Sequence, residues 1–176
     1  AGRDLLEPRR KRRALGVPSA CFNLLVAAML RILLARNGIV LRFGWELMTL
    51  ATAALVVTEH EERASRRAAY LYLVMSHVGT GCLIGGFMAL ASMSGSLSFA
   101  TLLSGGAALP PARNGLFALF FVGFGIKAGI VPLHIWLPEA HPAAPSPVSA
   151  LMSGVMLKTA IYGLLRVTFD MLGNPL

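Results

Sequence analysis

The sequence is poor in charged residues and in cysteine. Only 14% of its 176 residues are Asp, Glu, Lys or Arg and 56% are hydrophobic, whereas a soluble domain has about 25% charged residues. The two cysteines, Cys21 and Cys82, lie in separate apolar stretches, with no second thiol or histidine at the spacing of a metal site. The composition excludes a disulfide scaffold, a zinc or iron–sulfur protein and an ordinary cytosolic enzyme, and it indicates a protein that lies in lipid.

Positive charge is concentrated at the N-terminus. The net charge is +8, and six of the basic residues lie within the first thirteen positions. Most of the others flank apolar stretches, which is typical of the positive-inside bias of membrane proteins and not of nucleic-acid binding. We therefore expect residues 1–18 to form a basic cytoplasmic arm, and we expect no nucleic-acid partner.

Long uncharged stretches predict an all-α, polytopic transmembrane helix bundle over residues 19–170. A helix needs about 20 apolar residues to cross a bilayer. We expect about five spans, at residues 20–35, 38–57, 69–93, 115–136 and 147–167. Pro132 predicts a broken helix in the fourth span, because proline cannot donate a backbone hydrogen bond. Since the chain begins with Ala1, we expect a piece of a longer protein, with residues 171–176 as a truncated end.

The distribution of Lys and Arg predicts the orientation of the bundle. With five spans, nine basic residues fall on the side of the N-terminus and five on the opposite side. Because cytoplasmic loops carry the excess of Lys and Arg, we expect a cytoplasmic N-terminus, and the proline-rich segment Leu137–Pro147 should turn on that same side.

Three charged residues lie near the middle of their spans, and they are Glu46, Lys127 and Lys158. A charge there costs about 2.5–3.5 kcal/mol. Lys127 lies ten residues before Leu137, and Lys158 lies eleven residues after Pro147, so both lysines should reach one depth in antiparallel neighbouring helices. This arrangement predicts a proton relay. A static Glu46–Lys127 ion pair that holds helices together is the alternative.

Three histidines can support such a relay. His77 is central in the third span, where it can bridge protons or simply bond between helices. His134 follows Lys127 by seven residues and so lies on the same helix face. His141, in the proline-rich segment, is either an entry-side proton acceptor or a solvated loop residue.

The stretch from Gly123 to Arg166 (GFGIKAGIVPLHIWLPEAHPAAPSPVSALMSGVMLKTAIYGLLR) resembles the proton-conducting, antiporter-like membrane subunits of respiratory complex I and of multisubunit cation/proton antiporters. Supporting matches are WELMTLA at Trp45–Ala51 and AAYLYLVMSHVGT at Ala68–Thr80. Within this family the sequence of these stretches is most similar to hydrogenase-4 component B and the formate hydrogenlyase membrane subunit. The resemblance covers roughly Cys21 to Arg166 and implies helices four to eight of a larger subunit.

This resemblance implies roles for the three central charges. Glu46 matches the family's helix-five glutamate, Lys127 the lysine of its discontinuous helix seven and Lys158 its helix-eight lysine, which together belong to the first half-channel. The implied function is proton translocation in a hydrogenase-type or quinone-linked oxidoreductase complex of a bacterial or archaeal cytoplasmic membrane. Partners would be the other membrane and peripheral subunits and the lipid bilayer. No ligands for iron–sulfur, flavin or nickel are evident, so we expect no cofactor in this chain and redox chemistry in the partner subunits.

Three arginines depart from the family pattern in the first helical hairpin, namely Arg31, Arg36 and Arg42. Arg42 precedes Glu46 by four residues, so it can pair with that carboxylate and compete with Lys127. Two other functions stay open at this point. The chain can belong to a multisubunit cation/proton antiporter that carries protons or sodium, or it can be a truncated, non-conducting membrane scaffold.

Overall fold

The computed structural model describes residues 7–57, 62–104 and 110–172. Regular secondary structure in these ranges is helical, and the only β-type pairing there is an isolated bridge between Asn37 and Ser98. The helices are α1 (Glu7–Leu33), α2 (Gly38–Val56), α3 (Arg63–Ser94), α4 (Phe99–Ser104), α5 (Pro110–Ala128), α6 (Leu137–Ala143), α7 (Ser146–Leu151) and α8 (Leu157–Leu165). π-Helical turns at Met152–Met156 and Arg166–Met171 connect α7 to α8 and extend α8.

Four helical segments within the described ranges are long and apolar enough to cross a membrane. They are Gly16–Leu33, Gly38–Val56, Arg63–Ser94 and Ser146–Met171. The prediction of an all-α, polytopic bundle is therefore confirmed. Within the expected basic arm, α1 already begins at Glu7, while residues 1–6 of the arm and residues 173–176 of the expected truncated end lie outside the described residues.

The fourth expected span, 115–136, differs from the helix observed there. α5 ends at Ala128, and Gly129 has a φ of 72°, a left-handed conformation that ends helices and suits glycine. The chain then makes turns up to Trp136 before α6 begins. The break predicted from Pro132 is thus present, but it begins earlier than the expected end of the span because Gly129 already stops the helix.

The proline-rich segment is more helical than the sequence suggested. We expected Leu137–Pro147 to leave the helix and turn, whereas its first seven residues form α6. Pro138 and Pro147 occupy the first turns of α6 and α7, where proline leaves no backbone hydrogen bond unmade. The turn itself is confined to Ala144 and Pro145.

Contacts near the ends of the helices define two ends of the bundle. At one end, Arg166 donates to the backbone oxygen of Ala35 at 3.2 Å, and the backbone N–H of Phe99 donates to the backbone oxygen of Arg36 at 2.9 Å. At the opposite end, Arg67 at the start of α3 forms a 3.2 Å ion pair with Glu139 of α6. Consecutive long helices therefore alternate in direction, as expected of membrane spans.

Glycines bring α5 close to two neighbours. A Cβ on Gly163 of α8 would lie 2.5 Å from the ring of Phe124, and a Cβ on Gly123 would lie 3.0 Å from the backbone oxygen of Gly79 of α3. α5 is thus packed between α3 and α8. This position buries the last turn of α5, which contains Lys127.

Candidate functional site

Lys127 is buried in the bundle, with only 1% of its surface exposed. Its Nζ donates to Thr49 Oγ1 at 2.7 Å, to Tyr72 Oη at 2.5 Å and to Ser76 Oγ at 3.1 Å. We call these three residues the hydroxyl cage. An ammonium group has three N–H donors, so the cage provides one neutral acceptor for each of them.

Local helix geometry builds the hydroxyl cage. Tyr72 and Ser76 are one turn apart on α3, so both face α5. The hydroxyl of Thr49 donates to the Trp45 backbone oxygen at 3.0 Å, and that of Tyr72 points to the sulfur of Met156 at 3.8 Å. Both oxygens therefore direct lone pairs towards Lys127. The ammonium also lies 4.3 Å from the centre of the Tyr72 ring, within the range of a cation–π contact.

Glu46 lies one turn before Thr49 on α2 and is half-buried. In the described part of the chain, no ion pair within 4 Å connects it to Lys127. Its Oε2 instead lies 3.8 Å from Nε2 of His77. Its other oxygen, Oε1, is buried and has no hydrogen-bond partner among the described residues. The structure therefore brings Glu46 beside His77 and near the cage, but not into direct contact with Lys127.

His77 contacts two groups through its two ring nitrogens. Nδ1 is 2.8 Å from the backbone oxygen of Leu73, and a carbonyl only accepts, so Nδ1 carries a hydrogen. Nε2 faces the Glu46 carboxylate, and this contact becomes a charged pair only when Nε2 is protonated too. The Glu46–His77 contact is thus sensitive to the proton content of the ring.

Lys158 does not join the cage. Gly163 lies against Phe124, and Leu157 reaches Gly129, so α5 and α8 are antiparallel and place Lys127 and Lys158 at similar depth, as their spacing predicts. The Lys158 side chain is nevertheless exposed, and its Nζ donates to the Ser153 backbone oxygen at 3.2 Å. Depth agrees with the sequence interpretation, whereas the two ammonium groups lie on different sides of α8.

The remaining histidines lie in and after the break. His134 belongs to the non-helical segment 129–136, and its Nδ1 is buried with no partner in the described ranges. His141 is half-buried in α6, and its Nδ1 makes a short hydrogen bond with Ser149 Oγ of α7. His141 is thus part of a helical contact and not a freely solvated loop residue.

The arginine predicted to compete for Glu46 is close to it but not paired. Arg42 and Glu46 line one surface pocket of about 150 Å³ together with Ile39 and Phe43. In residues 7–57, 62–104 and 110–172, no ion pair joins the two side chains. The arginine therefore does not hold Glu46 away from Lys127.

The hydroxyl cage was not predicted, because the predicted site consisted only of charged residues in apolar spans and of histidines. The sequence does contain a signal, since Tyr72, Ser76 and Thr80 recur at intervals of four. In the structure all three are buried on α3. Hydroxyls at this spacing form a polar stripe on a helix. Only tertiary packing showed that α5 and α2 meet this stripe at Lys127.

Comparison with known proteins identifies a family. Residues 35–175 match the family described as NADH:quinone oxidoreductase/Mrp antiporter, TM. An uncharacterized protein of Mycobacterium tuberculosis (strain H37Rv) is 46% identical over 164 residues, covering 93% of this chain and 25% of that protein. Hydrogenase-4 component B of Escherichia coli (strain K12) is 41% identical over 152 residues, covering 86% of this chain and 22% of that protein.

A solved structure agrees with these matches. A chain in the structure of the Mrp complex from Dietzia sp. DQ12-45-1b superposes with a TM-score of 0.76 at 27% identity, covering 86% of this chain and 17% of that one. This chain spans about a quarter of the length of its curated relatives. The resemblance expected from Gly123–Arg166 is confirmed, and the chain belongs to the NADH:quinone oxidoreductase/Mrp antiporter family of transmembrane proteins.

Proposed function

We propose that this chain is part of a proton-translocating membrane subunit in which Lys127 is the central proton carrier. The observation that supports this most is the hydroxyl cage around a buried lysine. A hydroxyl can donate or accept, so the cage can accept from an ammonium and can turn to donate to a neutral amine. The site therefore accommodates both states of Lys127, which a carrier requires.

Glu46 is proposed to modulate Lys127 from α2, where it lies one helix turn before the cage residue Thr49. A nearby carboxylate favours the positive charge on Lys127, although no direct pair forms between them. When Glu46 is neutralised, or when it turns towards a protonated His77, that support weakens. The proton can then leave Lys127 without breaking a buried ion pair.

Lys158 is proposed as the next carrier on the far side of α8. The two lysines share a depth, and Gly129, which begins the segment 129–136, lies against Leu157, the residue before Lys158. His134 lies in this segment and has a free Nδ1 among the described groups, so it can relay a proton through water. The His141–Ser149 pair is proposed to support proton entry at the end of the bundle that carries Arg67 and Glu139.

The surrounding complex is proposed from the relatives. Similarity to hydrogenase-4 component B favours a hydrogenase-type or quinone-linked oxidoreductase complex, with redox chemistry in other subunits and no cofactor in this chain. We place it in the cytoplasmic membrane of a bacterium or archaeon with the N-terminus inside, following the distribution of Lys and Arg. Similarity to a chain of the Mrp complex favours a second candidate, a cation/proton antiporter.

The test is Lys127→Ala in the native complex, assayed in inverted membrane vesicles with a pH-sensitive dye. A positioned proton carrier increases the rate of proton transfer about 100-fold or more. The rate of proton uptake should therefore fall by about 100-fold or more, while the abundance of the complex stays unchanged. Lys11→Ala, in the N-terminal arm, is the matched control and should transport normally. Normal uptake in Lys127→Ala would contradict the proposal and favour the scaffold. Dependence of uptake on sodium would favour the antiporter.

A further inference from the structure

Trp136 ends the non-helical segment 129–136 and is buried, although Val131 and Ile135 in the same segment are exposed. Its Nε1 donates to the backbone oxygen of Ile126 at 2.7 Å. The same oxygen accepts the backbone N–H of Gly129 at 3.3 Å. The indole thus bonds the segment to the last turn of α5, at Ile126, the residue immediately before Lys127.

The indole ring also contacts the hydroxyl cage. The rings of Trp136 and Tyr72 meet edge to face, with centroids 5.0 Å apart and planes at 62°. The Tyr72 hydroxyl lies 2.5 Å from Lys127 Nζ. Trp136, Tyr72, Lys127 and Ile126 therefore form a closed ring of contacts, completed by the peptide bond between Ile126 and Lys127.

We propose that Trp136 is a positioning residue for Lys127, which couples the conformation of segment 129–136 to the hydroxyl cage. If the segment moves, the indole releases the Ile126 carbonyl and the Tyr72 ring together. Tyr72 Oη then loses its fixed position against the ammonium. This inference rests on the proposed function and identifies the residue through which the break controls the carrier.

The experiment measures pH–rate profiles of proton uptake in inverted vesicles that contain the native complex. Tyr72→Phe removes a hydrogen bond to a charged group and should slow uptake about tenfold, and Trp136→Phe removes a neutral one and should slow it about fivefold. Each variant should move the midpoint of the profile by about half a pH unit or more. The double variant should be no slower than Tyr72→Phe, because both residues act through one contact.

The control is Phe87→Leu, which removes a buried ring of α3 that packs against Phe99 and Phe120, away from the cage. It should leave the midpoint of the profile unchanged. If Trp136→Phe lowers only the thermal stability of the complex, or if its effect adds fully to that of Tyr72→Phe, Trp136 merely fills the core and the proposal is wrong.

Two further comparisons keep the result decisive. If Lys127→Ala transports normally, the proposed function fails; if Lys127→Ala is inactive while Trp136→Phe keeps the wild-type rate and profile, only the positioning role fails.

Coupling between two sites is reciprocal, so Lys127→Ala should also accelerate hydrogen exchange at the amides of Leu133 and Leu137, which donate to backbone oxygens within the segment. Unchanged exchange there overturns the proposal without requiring a Trp136 variant.

Discussion

The side chain of Lys127 is surrounded by hydroxyl groups that can satisfy an ammonium inside an apolar bundle without a carboxylate in contact. A central charge costs about 2.5–3.5 kcal/mol on insertion scales. A hydrogen bond to a charged group contributes about 1.5–3 kcal/mol, so two bonds of the hydroxyl cage are enough to offset that cost. No direct ion pair with Glu46 is therefore needed to hold Lys127 in the bundle.

Removing one cage hydroxyl should therefore weaken the folded bundle measurably. Thr49→Val keeps the shape of the side chain and deletes an acceptor of Lys127, so we expect a loss of about 1.5–3 kcal/mol. Thermal unfolding of the solubilised complex provides the measurement. Thr168→Val is the control, because the buried Thr168 hydroxyl has no partner among the described residues, and its loss should be neutral or stabilising.

Neutralising Glu46 should separate modulation from static pairing. Glu46→Gln breaks no direct ion pair with Lys127, so complex abundance should stay normal while proton uptake falls about tenfold, equivalent to about 1.4 kcal/mol. Abundance by immunoblot and uptake in vesicles are measured together. Loss of assembly with normal uptake per complex would instead support the static ion pair.

At the scale of the secondary-structure element, the decisive feature is the end of α5. Lys127 lies in the last turn of that helix, where the partial negative charge of the helix dipole stabilises a cation. Gly129 creates this helix end by adopting a φ of 72°. An unbroken helix through residue 136 would place Lys127 in mid-helix and remove this stabilisation.

Replacing Gly129 should therefore disturb both the helix end and the position of Lys127. Gly129→Ala forces a side chain into the left-handed region at a cost of about 1–2 kcal/mol, and its Cβ would lie 3.2 Å from Leu137. We expect a lower melting temperature together with slower uptake. Gly115→Ala is the matched control in the same helix, since a Cβ there meets nothing within 4 Å and alanine favours a helix.

For the whole molecule, contacts near the helix ends define two ends of the bundle among the described residues. Arg166, Ala35 and Phe99 meet at one end, and Arg67 meets Glu139 at the other. These contacts agree with antiparallel neighbouring spans. Which end faces the cytoplasm is predicted from charge alone.

Cysteine labelling of intact cells tests that orientation. In a Cys21→Ala, Cys82→Ala background, a membrane-impermeant maleimide should label Asn114→Cys from outside. Asn114 is exposed and lies near the start of α5, at the end of the bundle opposite Arg67. Glu62→Cys should react only after permeabilisation. Permeabilised cells, in which both sites should react, serve as the control. The reverse pattern would show that the N-terminus is outside.

The sequence by itself determined that the chain is an apolar helical bundle, that the fourth span is broken, and that Lys127 and Lys158 lie at similar depth. Apolar length decides whether a helix can span lipid, proline and glycine interrupt helices locally, and a rise of 1.5 Å per residue converts spacing into depth. Lys127 and Lys158 could therefore be placed at one level, and the family could be inferred from the residues around them.

Only the tertiary structure decided which side chains face one another. Direction around a helix axis depends on packing and on local irregularity, and the π-helical turn Met152–Met156 rotates the residues that follow it, including Lys158. Lys127 is enclosed by hydroxyls from α2 and α3, whereas Lys158 is exposed. Spacing along one helix contains no information about the neighbour that packs against it, so the hydroxyl cage required all three helices.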